Sequence, residues 1–214
     1  MPAAILACMT FLITALVMVK LQLVVRIYDA AGVAPGDMDR ACASVSAILT
    51  RVGIEPIWRP CPGTVCTEIV TPDEVVVRIV RSGSESPNGS LGYSMIDKST
   101  RAGTLATIYD DRVHALAAES HLDEGLLLGR AMAHEIGHLL LGTSNHSGFG
   151  LMRGRWLSDE LQRDRQADWV FTSWERADLR HQLVARARQP MLPASVAAEL
   201  AQERQPALDD GVGH

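Results

Sequence analysis

The chain has 214 residues, 47% of them apolar and 21% charged, with a formal net charge of −5. These proportions sit near the globular average and exclude wholesale disorder, and the length suits one domain with a short appendage. The acidic balance excludes the basic face of a nucleic-acid binder, and no fixed repeat points to a solenoid or propeller.

Aromatics make up only 5% of the chain, so the core must be built from Ala, Val, Leu and Ile. Residues 1–19, MPAAILACMTFLITALVMV, carry no charged side chain. A run of that length reads as an export element, and residues 1–20 are set apart as a signal peptide or membrane anchor. Association with a membrane through residues 1–19 follows, with an exported location in the cell envelope or outside it. Lys20 and Arg26 lie on the side where the positive-inside rule does not favour them.

Residues 21–188 alternate between strand and helix patterns. Residues 21–28 (LQLVVRIY) are short, apolar and β-branched, as a strand requires. Asp37 is a fair N-cap for a helix to about Arg51, with Ala41, Val45, Ile48, Leu49 and Val52 at helical spacing. Gly53 ends it, and residues 54–58 and 74–80 give two more strands. Residues 82–90, SGSESPNGS, form a polar loop. Residues 91–96 and 104–109 are further strands, and residues 123–141 the strongest helix. Ser158, with Asp159 and Glu160 behind it, starts a long C-terminal helix to about Arg188. Residues 189–214 hold few large apolar residues and read as a loosely ordered tail. Strand–helix–strand order implies an α/β fold with a partly parallel sheet.

Four cysteines are present. Cys61 and Cys66 bracket a Pro-Gly loop, where a disulfide would form in an oxidising compartment. Cys42, between Ala41 and Ala43, reads as a small buried residue.

The chemistry lies at residues 134–138, His-Glu-Ile-Gly-His. On a helix, His134 and His138 project from one face a turn apart and reach one metal ion. Glu135 points elsewhere and can take a proton from a metal-activated water without being a ligand. The flanking Leu126, Leu127, Ala131, Ala133 and Leu139 favour the helix. Burying two imidazoles and a carboxylate without a partner would be costly, which argues for an ion between them. Catalytic zinc sites use three protein ligands, so a third is needed.

The run HEIGHLLLGTSNHSGFGLM resembles the active-site segment of the metzincin zinc peptidases, matrixins and archaemetzincins among them. The resemblance implies a metzincin-like twisted mixed sheet with an active-site helix, a Met-turn and a long C-terminal helix. It implies that Gly142 ends the helix, His146 is the third zinc ligand, and Met152 occupies the Met-turn under the metal. The clan places the glycine seven and the third histidine ten residues after the first histidine. Here they fall eight and twelve after it. No tyrosine follows Met152.

A rival third ligand is Glu160 on the next helix, as in gluzincins. His114, His121, His181 and His214 have no partners at ligand spacing. Arg153, Arg155 and Trp156, just past the turn, are candidates for a subsite wall. The implied function is zinc-dependent endopeptidase action on a peptide or protein, with Glu135 moving the proton and one Zn2+ polarising the carbonyl. Substrate would pair with a free strand edge at residues 91–96 or 104–109. The competing class is a zinc-stabilised binding module without turnover.

Overall fold

The computed structural model describes residues 21–188 apart from 63–65, 67, 84–88 and 98. The apolar run 1–19, the tail 189–214 and most of the 82–90 loop lie outside the described residues, as do Cys8 and His214. Among the described residues, no helix is long and apolar enough to cross a membrane.

The elements in chain order are β1 (Leu21–Asp29), α1 (Pro35–Thr50), β2 (Ile54–Pro60), β3 (Glu74–Val80), β4 (Gly92–Asp97), β5 (Ala102–Tyr109), α2 (Asp110–Ser120), α3 (Glu124–Leu141), α4 (Ser158–Arg163), a short 3-10 turn (Gln166–Trp169) and α5 (Ser173–Ala187). The sheet order is β2-β1-β3-β5-β4. β1 pairs in parallel with β2 and β3, and β3 with β5. β4 runs antiparallel to β5 and forms one edge, so the α/β sheet is mixed, as expected.

Strand alternation puts one side-chain set on the core. Val25 aligns with Val75 and Ile27 with Val77, and Val77 and Ile79 align with Ala106 and Ile108. All are buried. α1 and α3 cover this layer with Ala41, Val45 and Leu49, and with Leu127, Leu128, Met132, Ile136 and Leu139. The opposite face is more polar: Arg78 donates there to Thr107 and Tyr93.

The α1–α3 contact is close because α3 presents glycines to it. A Cβ on Gly129 would lie 2.5 Å from the Ala41 carbonyl oxygen, and one on Gly125 would lie 2.6 Å from that of Asp37. Glycine inside a helix costs roughly 1 kcal/mol relative to alanine; here it lets two backbones meet.

Several expectations are corrected. α1 begins before Asp37, with Ala34 at the N-cap and Pro35 in the first turn. Asp37 pairs with Arg40, which also reaches Asp123. α2 was not expected; its inward positions Val113, Leu116, Ala117 and Ser120 do keep helical spacing, but Ala and Ser give that face little apolar contrast. The helix over 158–188 is two helices. Asp164 turns left-handed (φ 44°) after α4, held by its pairing with Arg130. Trp169 and Phe171 then bury themselves, and Thr172 restarts the helix. The Thr172 hydroxyl accepts from the Glu175 N–H, while the Glu175 carboxylate accepts from the Thr172 N–H at 2.7 Å. Cys42 is half-buried rather than buried, and desolvation pushes its thiol up to about 11.

Cys61 and Cys66 are disulfide-bonded, with Cα atoms 5.5 Å apart. The bridge braces the end of β2: the Cys61 N–H donates to the Ile27 carbonyl, and the Tyr28 hydroxyl donates to that of Cys66.

A Gly129→Val substitution pushes branched carbons into the α1 backbone. The expected loss is about 3 kcal/mol in denaturant unfolding, the upper range for an overpacked core. Unchanged stability would mean that α1 and α3 are not in backbone contact.

Candidate metal centre and cleft

α3 is bounded by strong stop signals. The Asp123 carboxylate accepts from the Leu126 N–H at its start. Gly142 ends it at φ 62°, where a Cβ would lie 1.9 Å from the Arg101 carbonyl oxygen, so no other residue fits.

His134 and His138 are both buried, and their Nε2 atoms lie 3.0 Å apart. His146 comes from the loop after Gly142, with its Nε2 3.3 Å from that of His138. One ligand atom of each lies within 4.8 Å of the others. The loop thus absorbs the longer spacing. It is fixed beyond His146, where the Ser147 N–H donates to the Met152 carbonyl at 2.8 Å and the Ser147 hydroxyl donates to Glu175. The His146 ring is exposed, stacks on that of His134 and lies over Gly154, where a Cβ would sit 3.0 Å from its Cγ.

The opposite ring nitrogens settle the tautomers on α3. His134 Nδ1 lies 2.9 Å from the Leu151 carbonyl oxygen, and His138 Nδ1 lies 2.7 Å from that of Thr143. A carbonyl only accepts, so each Nδ1 carries the proton and each Nε2 presents a lone pair to the centre. Burial, followed by the like charge of His138, pushes His134 down to about 3. Burial also holds His138 below its ordinary range. Both are therefore neutral at pH 7, as metal binding requires. Lone pairs facing each other at 3.0 Å repel unless a cation lies between them. Tetrahedral zinc with Zn–N near 2.0–2.1 Å places its nitrogen ligands about 3.3 Å apart. The three histidines fit such an ion, and an all-imidazole set suits zinc.

Met152 is buried beneath this turn. A Cβ on Gly137 would lie 2.6 Å from Met152 Sδ and 2.8 Å from a Phe171 ring carbon. Two side chains, not a neighbouring backbone, thus occupy the space that glycine leaves.

Glu135 points to the other side, toward β4. Desolvation pushes its carboxyl up to about 7, against the opposing hydrogen bond from Ser94. Ser94 Oγ lies 2.7 Å from Glu135 Oε2 and 2.8 Å from the Glu135 carbonyl oxygen. Gly92 leaves room beside it: a Cβ there would lie 3.1 Å from Glu135 Cγ and 2.6 Å from the Thr107 carbonyl oxygen.

Glu160 is not part of the cluster. Its carboxylate accepts from the Leu157 N–H at 3.1 Å, capping its own helix, and lies 3.6 Å from Arg153. His114 does have a partner, Glu124, at 2.7 Å. The sequence reading missed Ser94, Gly92 and the carbonyls of Thr143 and Leu151. Ser94 carries a weak signal, as a polar residue alternating with Gly92 and Ile96 on an edge strand; the carbonyls carry none.

These groups meet in a cleft of about 420 Å³. One wall is β4 with Leu91, and the other is the segment Arg153–Trp156. Trp156 packs edge-on to His134, with centroids 5.7 Å apart, and against Trp169 at 5.2 Å. Arg130 stacks on Trp169 at 4.0 Å.

The metal-free chain should respond to pH through opposed groups, the two buried histidines on one side and Glu135 on the other. His134 is depressed from 6.5 to about 3, so its contribution is complete above 6.5 and lost as pH falls. Glu135 is raised from 4.5 to about 7, so its contribution is complete below 4.5 and lost as pH rises through 7. His138, also held below its ordinary range by burial, adds to His134, so between pH 7 and 5 Glu135 offsets only part of the histidine loss. In chelator-treated Glu135→Gln only the histidine contributions remain, and stability should drop by about 2 kcal/mol or more over that range. Equal pH dependence of wild type and variant in thermal melts would refute this balance.

No protein-family profile matches the chain, and no curated protein matches it. Solved structures do. A zinc-dependent peptidase from Methanocorpusculum labreanum is 16% identical with a TM-score of 0.48, over 72% of this chain and 99% of that one. Archaemetzincin from Methanopyrus kandleri is 16% identical with a TM-score of 0.49, over 79% and 99%. Metalloproteinase-II from Bacteroides fragilis is 12% identical with a TM-score of 0.49, over 77% and 54%. Identities of 16% or less and TM-scores below 0.5 leave these likenesses too distant to bear on function.

Proposed function

We propose that this chain is a zinc-dependent peptidase that cleaves peptide bonds with Glu135 as proton carrier. The observation that carries the reading is the convergence of three imidazole Nε2 atoms within 4.8 Å, beside a buried carboxylate in an open cleft. His134, His138 and His146 are the zinc ligands. A zinc ion on this donor set supplies Lewis acidity, polarising a peptide carbonyl and acidifying a coordinated water. Glu135 accepts the proton of the attacking water and delivers it to the leaving amine. Ser94 engages Oε2, which leaves Oε1 for the proton. Substrate pairs with the outer edge of β4, whose other side is taken by β5. The alternative edge at residues 104–109 is closed, because β5 lies between β3 and β4.

An exported location is part of this reading. The charge-free run 1–19 and the Cys61–Cys66 bridge both support it, since disulfides persist in oxidising compartments.

Glu135→Gln should retain stoichiometric zinc and lose peptide turnover by about a thousandfold or more, whereas His134→Ala should lose the zinc. Zinc content by mass spectrometry and turnover of a fluorogenic peptide library are the readouts. Zinc-loaded wild type that cleaves nothing would sink the peptidase reading and favour a binding module.

Ser94→Ala should lower kcat by roughly tenfold with KM and zinc content unchanged, and Ser94→Thr should restore most of it. An equal fall in melting temperature with full kcat would reduce Ser94 to a stitch between β4 and α3.

A further inference from the structure

The cleft's charge is uneven, and the imbalance points to a class of substrate. The whole chain is acidic, at −5. Yet among the described residues Glu135 is the only carboxylate lining the cleft, and in the proposed reaction it is committed to proton transfer. The β4 wall, with Leu91, Gly92, Ser94 and Ile96, is neutral. The facing wall holds Arg153 and Arg155.

The two arginines are not equivalent. Arg153 is buried and neutralised, 3.6 Å from Glu160 on one side and 3.6 Å from Asp168 on the other. Arg155 is exposed, and among the described residues no carboxylate pairs with it. Its place is closely fixed. The residue before it, Gly154, lies against the His146 ring, and the residue after it, Trp156, packs on the His134 ring. Arg155 is thus bracketed by contacts to two of the three histidines. Its long side chain is within reach of any peptide lying over the centre.

We infer that Arg155 forms an anion subsite, so that the preferred substrates carry a carboxylate close to the bond presented to the three histidines. The inference deepens the peptidase reading and rests on it only for the ligand being a peptide. The carboxylate is a Glu or Asp side chain or the peptide's own C-terminus. Either would find a guanidinium on a wall where the described residues place no competing acid, and planar carboxylate–guanidinium pairing supplies the selectivity.

The test uses zinc-loaded Glu135→Gln protein, which binds peptide without consuming it. Short peptides with blocked ends, differing only in one Glu, Gln or Lys at successive positions, are titrated by fluorescence anisotropy. Parallel peptides carry a free C-terminus. At one position the Glu peptide should bind about fivefold tighter than its Gln twin, the scale of a partly exposed ion pair. The ratio should fall to one in Arg155→Ala and invert toward Lys in Arg155→Glu. A preference confined to free C-termini assigns the subsite to the terminal carboxylate. Equal binding of Glu and Gln twins and of free and blocked ends, or a preference that survives Arg155→Ala, overturns the inference. Wild type that discriminates acidic peptides yet cleaves none refutes the peptidase reading while leaving this subsite intact.

Discussion

Two hydrogen bonds, from His134 Nδ1 to the Leu151 carbonyl and from His138 Nδ1 to the Thr143 carbonyl, hold the site in its working form. They place the protons on the outer nitrogens and turn both lone pairs inward. Neither acceptor belongs to the helix that carries the histidines. Both come from the segment after Gly142, which also supplies His146 and Met152. The centre therefore exists only when α3 ends where it does and the chain doubles back beneath it. That requirement falls on Gly142, since the Arg101 carbonyl leaves no room for a side chain at the turn.

α3 supports this geometry by being buried along nearly its whole length. Gly125 and Gly129 sit on α1, while Gly137 opens a space for Met152 and Phe171. The same helix thus meets a backbone at one end and a sulfur and an aromatic ring at the other. Such packing leaves little freedom to rotate, and a small rotation would carry both imidazoles away from their convergence with His146. Arg186 adds a clamp from α5, donating at once to the carbonyls of Leu139 and Pro72 and so tying the end of α3 to the approach to β3.

Much of this was legible in the sequence, for reasons that differ by element. The strands at residues 21–28, 54–58 and 74–80 were readable because apolar runs with turn residues at their ends have few other uses. His134, Glu135 and His138 were readable because a four-residue spacing has a unique meaning on a helix. His146 was readable only through resemblance, because a loop has no period and its reach cannot be counted. α2 was missed because its inward stripe, Val113, Leu116, Ala117 and Ser120, is half made of small residues and the rest is charged or polar, so it looks like a solvated segment. The break at Asp164 was hidden for a different reason. Nothing local forbids a helix there, and the left-handed turn is held by Arg130, distant in sequence. Ser94 was hidden likewise, because its role depends on which strand closes the sheet.

That last placement would link substrate to catalyst in the proposed reaction. β4 is antiparallel while the rest of the sheet is parallel, so it can be laid along the edge without another crossover helix. Its free side is then left open to an extended peptide, while on the same strand Ser94 reaches the Glu135 carboxylate and Gly92 leaves room for that side chain. A serine hydroxyl with one proton and two acceptors, the Glu135 carboxylate and its carbonyl, satisfies the site whether or not the carboxyl holds a proton. In the proposed peptidase, a strand that received substrate and seated the proton carrier would tie the two in register: a peptide aligned on β4 would be aligned to Glu135, with no moving part required.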